Sequence, residues 1–442
     1  MLKFTPETKF EDMINKVVWG DCLEVMKNIQ GNSVDAVVTD PPYGLSFMGK
    51  KWDYDVPSQK IWEECLMVLK PGGYLLSFAG TRTQHRMAVN IEDAGFEIRD
   101  MIAWVYGSGF PKSLDIGKAV DKLQGNEREV VEEKEQRNPY IGSDGMQFRD
   151  APDYAGKKEV ITKGTSEWEG WGTALKPALE PITVARKPLS EKTVAENVLK
   201  WGTGGINIDK CRIGTTTEIH AKSSEAAKGN GIYGEWGEMK TETKNYGRFP
   251  ANLIHDGSDE VVSLFPISNG SQTTKVGKTY GENDGRSYLQ TKPHGVNIND
   301  YGSAARFFYC AKASKAERNM GCEGLEEKGI GAKGNGLGRV CEICGVSQLK
   351  PELCSCKVKS WINPPSNKNN HPTVKPIALM EYLVKLVSRE GATVLDPFAG
   401  SGSTLVACKK LGRNYIGIEK EEEYTKIAEA RIEIVKKENR LF

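Results

Sequence analysis

Long apolar runs are missing from this sequence of 442 residues. No stretch approaches the ~20 consecutive apolar residues needed to cross a bilayer, so we expect no transmembrane helix. Residues 1–10, "MLKFTPETKF", lack the apolar core of a secretory signal, and no repeat of fixed period is found. We therefore expect a soluble, cytoplasmic protein, whose ten cysteines are reduced thiols or metal ligands rather than disulfides.

A strong excess of charge is also missing. The formal net charge is +1 although 27% of the residues are charged, so composition alone does not mark a nucleic-acid binder. Lysine and arginine counted against aspartate and glutamate give −6 for residues 1–150, +5 for 151–370 and +2 for 371–442, which sum to that +1. The middle of the chain is therefore the region best suited to a polyanion.

Strand and helix patterns alternate over residues 17–120 and again over 371–437. This alternation predicts an α/β fold, in which a mostly parallel sheet is covered by helices. Residues 125–170 are charged and polar, which predicts a long mobile insertion. Residues 202–335 are rich in Gly, Ser, Thr and Asn, and their pattern predicts no topology. The length alone predicts two or three structural units.

The stretch "VTDPPYG", residues 38–44, ends a predicted buried strand, Val34–Thr39. Prolines fix φ and remove N–H groups, so the backbone carbonyls of Asp40 and Pro41 are held rigidly beside the Asp40 carboxylate. Tyr43 adds a flat ring beside them. The group is suited to a planar ligand that carries an NH2, although an ordinary strand-to-loop exit has the same residues.

A second motif, "TVLDPFAGSGS", predicts a buried strand that runs into a glycine turn at Gly400 and Gly402. The next strand ends at Glu419, where an acid can bind ribose hydroxyls. The G-x-G-x-x-G fingerprint of pyrophosphate-binding loops is missing, which favours a nucleoside cofactor without phosphates, such as S-adenosylmethionine. An ordinary tight turn is the alternative.

Taken together, the motifs resemble the amino-methyltransferases of DNA, which methylate N6 of adenine or N4 of cytosine. "GDCLEVMKNIQGNSVDAVVTDPPY" comes first, a variable stretch follows, and "HPTVKP" and "DPFAGSGS" come last. This order resembles the permuted β class of bacterial and phage enzymes. The resemblance implies a doubly wound, mostly parallel sheet with an inserted target-recognition region. We accordingly expect catalytic parts at 1–201 and 368–442 and recognition at 202–367.

The same resemblance assigns the candidate site residues. The implied catalytic residues are Asp40, Pro41, Pro42 and Tyr43, and the implied cofactor-binding residues are Asp21, Thr373, Lys375, Asp396, Phe398, Gly400, Gly402 and Glu419. Asp21 would bind the adenine amine of the cofactor, and Thr373 and Lys375 would flank its methionine end. The alternatives are a helix N-cap for Asp21 and a solvent-exposed lysine at a helix start for Lys375.

The implied reaction is direct methyl transfer to adenine N6 in double-stranded DNA, after the base has turned out of the duplex. Cytosine N4 is the nearest alternative. Methylation of an RNA amine or a protein glutamine, and a binding module without catalysis, are less favoured. A homodimer and a restriction endonuclease partner both stay open.

Four cysteines, Cys341, Cys344, Cys354 and Cys356, have the spacing C-x2-C-x9-C-x-C. This spacing is compatible with a small structural zinc site within 341–356. Four unrelated thiols are the alternative.

Overall fold

The structure is a computed structural model. It describes residues 1–45, 53–109, 113–135, 158–222, 240–268, 273–280, 289–296, 302–311, 315–325, 328–329, 340–341, 361–362, 366–367 and 369–435. The chain divides into two compact units. The first comprises Met1–Gly107, Leu179–Lys328 and Asn367–Phe442, and the second comprises Ser108–Ala178 and Gly329–Ser366.

A ten-stranded sheet is the centre of the first unit. Its strands, numbered in chain order, are β1 (Leu2–Lys3), β2 (Lys16–Trp19), β3 (Val34–Thr39), β4 (Leu69–Phe78), β5 (Glu97–Val105), β6 (Leu179–Arg186), β7 (Leu253–His255), β8 (Tyr309–Cys310), β9 (Thr393–Asp396) and β10 (Asn414–Glu419). Their spatial order is β1-β2-β10-β9-β3-β4-β6-β5-β7-β8. Only β6 runs antiparallel to its neighbours in this sheet. The predicted α/β fold with a mostly parallel sheet is confirmed.

Helices cover both faces of the sheet. The α-helices are α1 (Phe10–Met13), α2 (Cys22–Met26), α3 (Gln59–Val68), α4 (Gln84–Asp93), α5 (Ile116–Gln124), α6 (Val194–Trp201), α7 (Asp259–Val262), α8 (Lys315–Asn319), α9 (Ile377–Val387), α10 (Ser403–Lys410) and α11 (Glu422–Glu433). Short 3-10 helices occupy Asp209–Cys211 and Ala304–Phe307. One apolar core contains residues of α9, α10 and α11, and the other contains residues of α2, α3 and α4. The sheet is therefore doubly wound.

Burial explains why the central strands form. All six residues of β3 are buried, and β9 and β10 are almost entirely buried, because both of their faces are covered. Helix α9 begins directly after Pro376, whose fixed φ suits a helix start. None of the helices in the described part of the chain is long and apolar enough to cross a membrane.

The two-stranded pairings lie outside this sheet. They join Ile213–Lys222 with Lys240–Arg248, Thr273–Tyr280 with Leu289–Val296, Ile267–Ser268 with Gly302–Ser303, Lys328–Gly329 with Ser366–Asn367, Val340–Cys341 with Trp361–Ile362, and Glu129–Glu135 with Lys158–Lys163. The last pair falls within the predicted insertion 125–170, whose residues 136–157 lie outside the described residues.

Two strands of the main sheet lie within the predicted recognition region. Strands β7 and β8 lie within 202–367, yet both pair into the main sheet beyond β5. The range 202–367 is therefore not separate from the catalytic sheet. Which residues recognise DNA stays a prediction.

The second unit has a buried ion pair of its own. Asp121 on α5 is fully buried and accepts a hydrogen bond from Arg128, whose other terminal nitrogen lies 2.8 Å from a carboxylate oxygen of Glu169. One guanidinium thus joins the helix to the segment near residue 169.

Candidate active site

The turn after β3 has a rigid backbone. Pro41 is buried, and Asp53 accepts hydrogen bonds from the backbone N–H groups of Tyr43 and Gly44 at 2.7 and 2.9 Å. The hydroxyl of Thr83 donates to the Tyr43 carbonyl at 2.6 Å. Both backbone groups of Tyr43 are therefore held by side chains from elsewhere in the chain.

Lys375 connects this turn to a second carboxylate. Its Nζ lies 2.7 Å from Oδ2 of Asp40, 3.1 Å from the Tyr43 hydroxyl and 3.1 Å from Oε2 of Glu180. The Tyr43 hydroxyl lies 2.7 Å from Oδ1 of Asp40 and 2.9 Å from Oε2 of Glu180. Because β6 is antiparallel, Glu180 at its start lies at the edge where the parallel strands end.

Burial and charge set the protonation of this cluster. Lys375 is only 7% exposed, and burial lowers its pKa, but Asp40 and Glu180 more than compensate and raise it above the ordinary value. Burial, reinforced by the same two carboxylates, also raises the pKa of Tyr43 well above the ordinary value. The lysine is therefore charged and the phenol is neutral near neutral pH.

Aromatic rings line the same region. The Lys375 ammonium lies 4.9 Å from the ring centre of Phe78 and 5.4 Å from that of Tyr43. Tyr106 packs against Trp104 with ring centres 5.0 Å apart, and its pKa is raised to about 12, chiefly by burial and further by the nearby Glu180 carboxylate. Flat apolar walls beside two carboxylates are suited to a planar ring with polar edges.

The glycine turn after β9 lies beside the first turn, because β3 and β9 are neighbouring parallel strands. Gly400 and Gly402 have φ values of +50° and +77°, which favour glycine. The Thr39 hydroxyl donates to Asp396 Oδ1 at 2.6 Å, so the residues that end the two strands are directly connected.

Glu419 lies under the glycine turn at the end of β10. Its two carboxylate oxygens accept the backbone N–H groups of Gly400 and Glu421 at 2.7 and 2.8 Å. Burial raises the pKa of Glu419 to about 7 and that of Asp396 to about 6. Each Glu419 oxygen keeps a second lone pair for a hydroxyl group. A buried carboxylate and a glycine turn therefore fit the ribose of a nucleoside cofactor.

Other residues hold this turn in place. Fully buried Arg431 on α11 donates to the Ser401 carbonyl at 2.6 Å and to the Ser403 hydroxyl at 3.1 Å. The ring of His371 lies so close that a Cβ on Gly400 would come within 2.8 Å of its Nε2. Burial lowers the pKa of His371 to about 4, so this ring is neutral.

The remaining predicted cofactor residues have these environments. Asp21 accepts from the Leu23 N–H at 3.0 Å and lies 3.1 Å from the Lys420 ammonium, so it is the N-cap of α2 that we weighed as its alternative. Phe398 meets Trp62 edge to face, with ring centres 6.4 Å apart. The Thr373 carbonyl hydrogen-bonds the His371 ring. Their contacts with a cofactor stay predictions.

Lys375 is not the solvent-exposed lysine weighed as its alternative. It is buried, and its ammonium contacts Asp40 and Tyr43. Its place beside the methionine end of a cofactor stays a prediction. Sequence reasoning missed several residues of the site, among them Glu180, His371 and Asp53. Glu180 is the second residue of the run "LEPITVARKP", and His371 begins the motif "HPTVKP". Asp53 had no signal in its surroundings.

The predicted zinc site cannot be compared with the structure. Cys344, Cys354 and Cys356 lie outside the described residues, and Cys341 is described by its backbone alone. Within the described part of the chain, no group of three or more His, Cys, Asp or Glu residues is placed to hold a metal.

Comparison with known proteins places the chain among DNA methylases. The family model described as DNA methylase, for N6 and N4 enzymes, matches residues 34–430. The chain is 47% identical over 77 residues to the Type II methyltransferase M2.DpnII of Streptococcus pneumoniae, covering 17% of this chain and 26% of that protein. It is 42% identical over 84 residues to M.HinfI of Haemophilus influenzae, covering 19% and 23%. The chain thus spans about a quarter of the length of these curated relatives.

Two solved structures are also similar. The cytosine-N4-specific PvuII DNA methyltransferase has a TM-score of 0.40 and 13% identity, covering 96% of this chain and 87% of that one. The complex of M1.HpyAVI with S-adenosylmethionine has a TM-score of 0.35 and 16% identity, covering 95% and 99%. The family model is the stronger finding, because it spans both turns and the strands that carry them. The chain belongs to the N6/N4 family of DNA methylases.

Proposed function

We propose that this protein transfers a methyl group from S-adenosylmethionine to the exocyclic N6 amine of adenine in double-stranded DNA. The observation that carries the proposal is the direct connection of the two turns. Thr39, next to Asp40, hydrogen-bonds Asp396 at the start of the glycine turn. An amine acceptor and a nucleoside-binding turn on neighbouring strands are what methyl transfer to an amine requires.

Asp40 and Pro41 act on the target amine. The lone pair of an aromatic amine is delocalised into its ring, which makes the nitrogen a poor nucleophile. Hydrogen bonds from its two N–H groups to the Asp40 carboxylate and the Pro41 carbonyl favour a pyramidal nitrogen with a directed lone pair. Asp53 and Thr83 keep Tyr43 and the turn from shifting, so these acceptors stay in place.

Tyr43 stacks on the target base after the base has left the duplex, because the amine cannot be reached inside it. Phe78, Trp104 and Tyr106 supply further apolar surface near Glu180 and Lys375. Such walls exclude water from the reacting amine. Stacking contributes ~1–3 kcal/mol per base and discriminates little between bases.

The cofactor side of the proposal uses Glu419, Gly400 and Gly402. Glu419 binds the ribose hydroxyls, while Asp396 and Phe398 shape the turn beneath the methionine end. Asp21 binds the adenine amine of the cofactor, and Thr373 lies at the methionine end. When it is bound, S-adenosylmethionine supplies the electrophilic methyl group. The reaction needs no cysteine nucleophile, so we assign Cys22 and buried Cys65 a packing role in the core.

The choice of adenine rests on the resemblance through Asp40 and stands against cytosine N4 as the alternative. Duplex DNA methylated by the purified protein should yield N6-methyladenine when it is digested to nucleosides. N4-methylcytosine alone would overturn the adenine assignment and leave the roles of Asp40 and Pro41 intact. A DNA substrate that stays unmethylated would overturn the function itself.

Asp40→Ala is the matched test of mechanism. Removing a contact that acts on the transition state typically costs ~10²–10³ in turnover. We expect a loss of that size with nearly unchanged cofactor affinity by calorimetry, because Asp40 acts on the amine. Turnover above about a tenth of the wild-type value would contradict this role.

A further inference from the structure

The carboxylate of Asp40 already has two donors. The Tyr43 hydroxyl lies 2.7 Å from Oδ1, and the Lys375 ammonium lies 2.7 Å from Oδ2. In the proposed reaction, on which this inference rests, the same carboxylate accepts the target amine. An ammonium in direct contact withdraws electron density from the acceptor and places positive charge near a nitrogen that becomes positive. The observed arrangement therefore opposes the reaction.

Glu180 offers both donors a second acceptor. Its Oε2 lies 2.9 Å from the Tyr43 hydroxyl and 3.1 Å from the Lys375 ammonium. A phenol has one proton, so Tyr43 donates to Asp40 or to Glu180 but not to both at once. Lys375 has three N–H groups and reaches both carboxylates already. Only small movements are needed to shift either donor towards Glu180.

Three segments of the chain face Glu180. Asp40 and Tyr43 come from the turn after β3, Lys375 from the segment before α9, and Tyr106 from the end of β5. Lys375 is almost completely buried, so losing every carboxylate partner would leave an uncompensated charge in the interior. Lys375 therefore needs a second carboxylate partner if Asp40 is to accept hydrogen bonds from the target amine.

We propose that Glu180 is a positioning residue that takes over Lys375 and the Tyr43 hydroxyl when the target amine reaches Asp40. The exchange changes hydrogen bonds only, and no covalent bond forms or breaks. Asp40 becomes available to the amine, and the cation moves away from the nitrogen. The structure corresponds to the resting arrangement, in which Asp40 and Glu180 share both donors.

The test is a double-mutant cycle on Glu180 and Lys375. Glu180→Gln keeps the shape but cannot neutralise the lysine, which then remains on Asp40. Single-turnover methylation of duplex DNA should slow about tenfold or more, as is typical when one partner of a buried charge pair is removed. Cofactor affinity, measured by calorimetry, should stay within about twofold because Glu180 does not contact the glycine turn.

The second change distinguishes positioning from structure. Adding Lys375→Met to Glu180→Gln removes the unpaired cation, and we expect the double variant to be about fivefold or more faster than Glu180→Gln alone. Glu97→Gln is the matched control, since Glu97 is a carboxylate on the adjacent strand β5 that pairs with Arg186. It should methylate at the wild-type rate.

Two results would overturn the proposal: a Glu180→Gln rate equal to that of the wild type, or a double variant no faster than Glu180→Gln. If Glu180→Gln does not fold, Glu180→Asp retains the charge, and the same rescue by Lys375→Met should then be absent. Rescue in that background would also count against the proposal. A wild-type protein that methylates no DNA would overturn the proposed function as well, which separates the two failures.

Discussion

Two buried carboxyl groups, Asp396 and Glu419, make the stability of this protein depend on pH. Burial raises the pKa of Glu419 from an ordinary 4.5 to about 7 and that of Asp396 from 3.8 to about 6. The folded protein therefore binds these protons more tightly than the unfolded chain does. Their contribution to stability is fully present below the ordinary pKa values and is lost as the pH rises through the raised ones.

Glu419 provides the measurable case. Its raised pKa should lower the free energy of unfolding by about 2–3 kcal/mol between pH 5 and pH 8, in the absence of cofactor. Urea unfolding at both pH values should show that the free energy of unfolding falls less in Glu419→Gln than in the wild type. Glu433→Gln, a change at an exposed residue of α11, is the control. Equal falls in wild type and Glu419→Gln would contradict the assignment.

Individual residues differ in how far sequence could predict them. Asp40, Gly402 and Glu419 each end or follow a strand within a local motif, so neighbouring residues were enough to mark them. Glu180 joins the cluster only because β6 runs against its neighbours, and strand direction is not encoded in a local pattern. Asp53 accepts hydrogen bonds from the backbone N–H groups of Tyr43 and Gly44, and no sequence motif indicates this contact.

At the scale of elements, the glycine turn is the most sensitive piece of the fold. Gly402 has a φ of +77°, and a Cβ there would come within 2.9 Å of the Ala428 Cβ on α11. Gly402→Val should therefore lower the free energy of unfolding by about 2 kcal/mol or more. It should also weaken cofactor binding about tenfold or more, because the turn would shift.

Gly205→Val is the matched control for that change. Gly205 has open space around its Cβ position and no left-handed φ. The free energy of unfolding, measured by denaturation, and the cofactor affinity, measured by calorimetry, should both be lower in Gly402→Val than in Gly205→Val. If Gly402→Val bound the cofactor as well as Gly205→Val does, the cofactor would have to bind elsewhere.

The central elements were predictable because their signals agree. β3, β9 and β10 are apolar, short and bounded by turn residues, and α9 is apolar along most of its length. The strands β7 and β8 have three and two residues, too few for periodicity to indicate a partner. Their place beside β5 depends on tertiary packing, so the sequence of 202–367 alone does not indicate that two of its strands join the main sheet.

At the scale of the whole molecule, the recognition prediction can now be tested without disrupting the sheet. Ser268 and Gly302 are paired neighbours, so a short Gly-Ser turn between them can replace residues 270–300. The shortened protein should keep its fold and cofactor affinity but change its DNA sequence preference. Modified-base sequencing of DNA from expressing cells reports that preference.

Replacing a segment of the second unit by a short Gly-Ser turn is the control. Glu135 and Lys158 are paired neighbours in the second unit, so residues 136–157 can be replaced in the same way. That region lies outside 202–367, and we expect the sequence preference to stay as it was. A preference that changed only with the second replacement would place recognition in the second unit.

The order of strands in the sheet has a consequence for synthesis. β9 and β10 lie between β2 and β3, although they follow β3 by more than three hundred residues in the chain. At ~5–20 residues per second, a ribosome needs tens of seconds or longer to cover that interval. Throughout it the nascent chain has a gap at the centre of its sheet and neither of the buried carboxyls beneath the glycine turn. The nascent chain therefore lacks the glycine turn, and the edges of β2 and β3 that face the gap stay unpaired, until translation has passed Glu419.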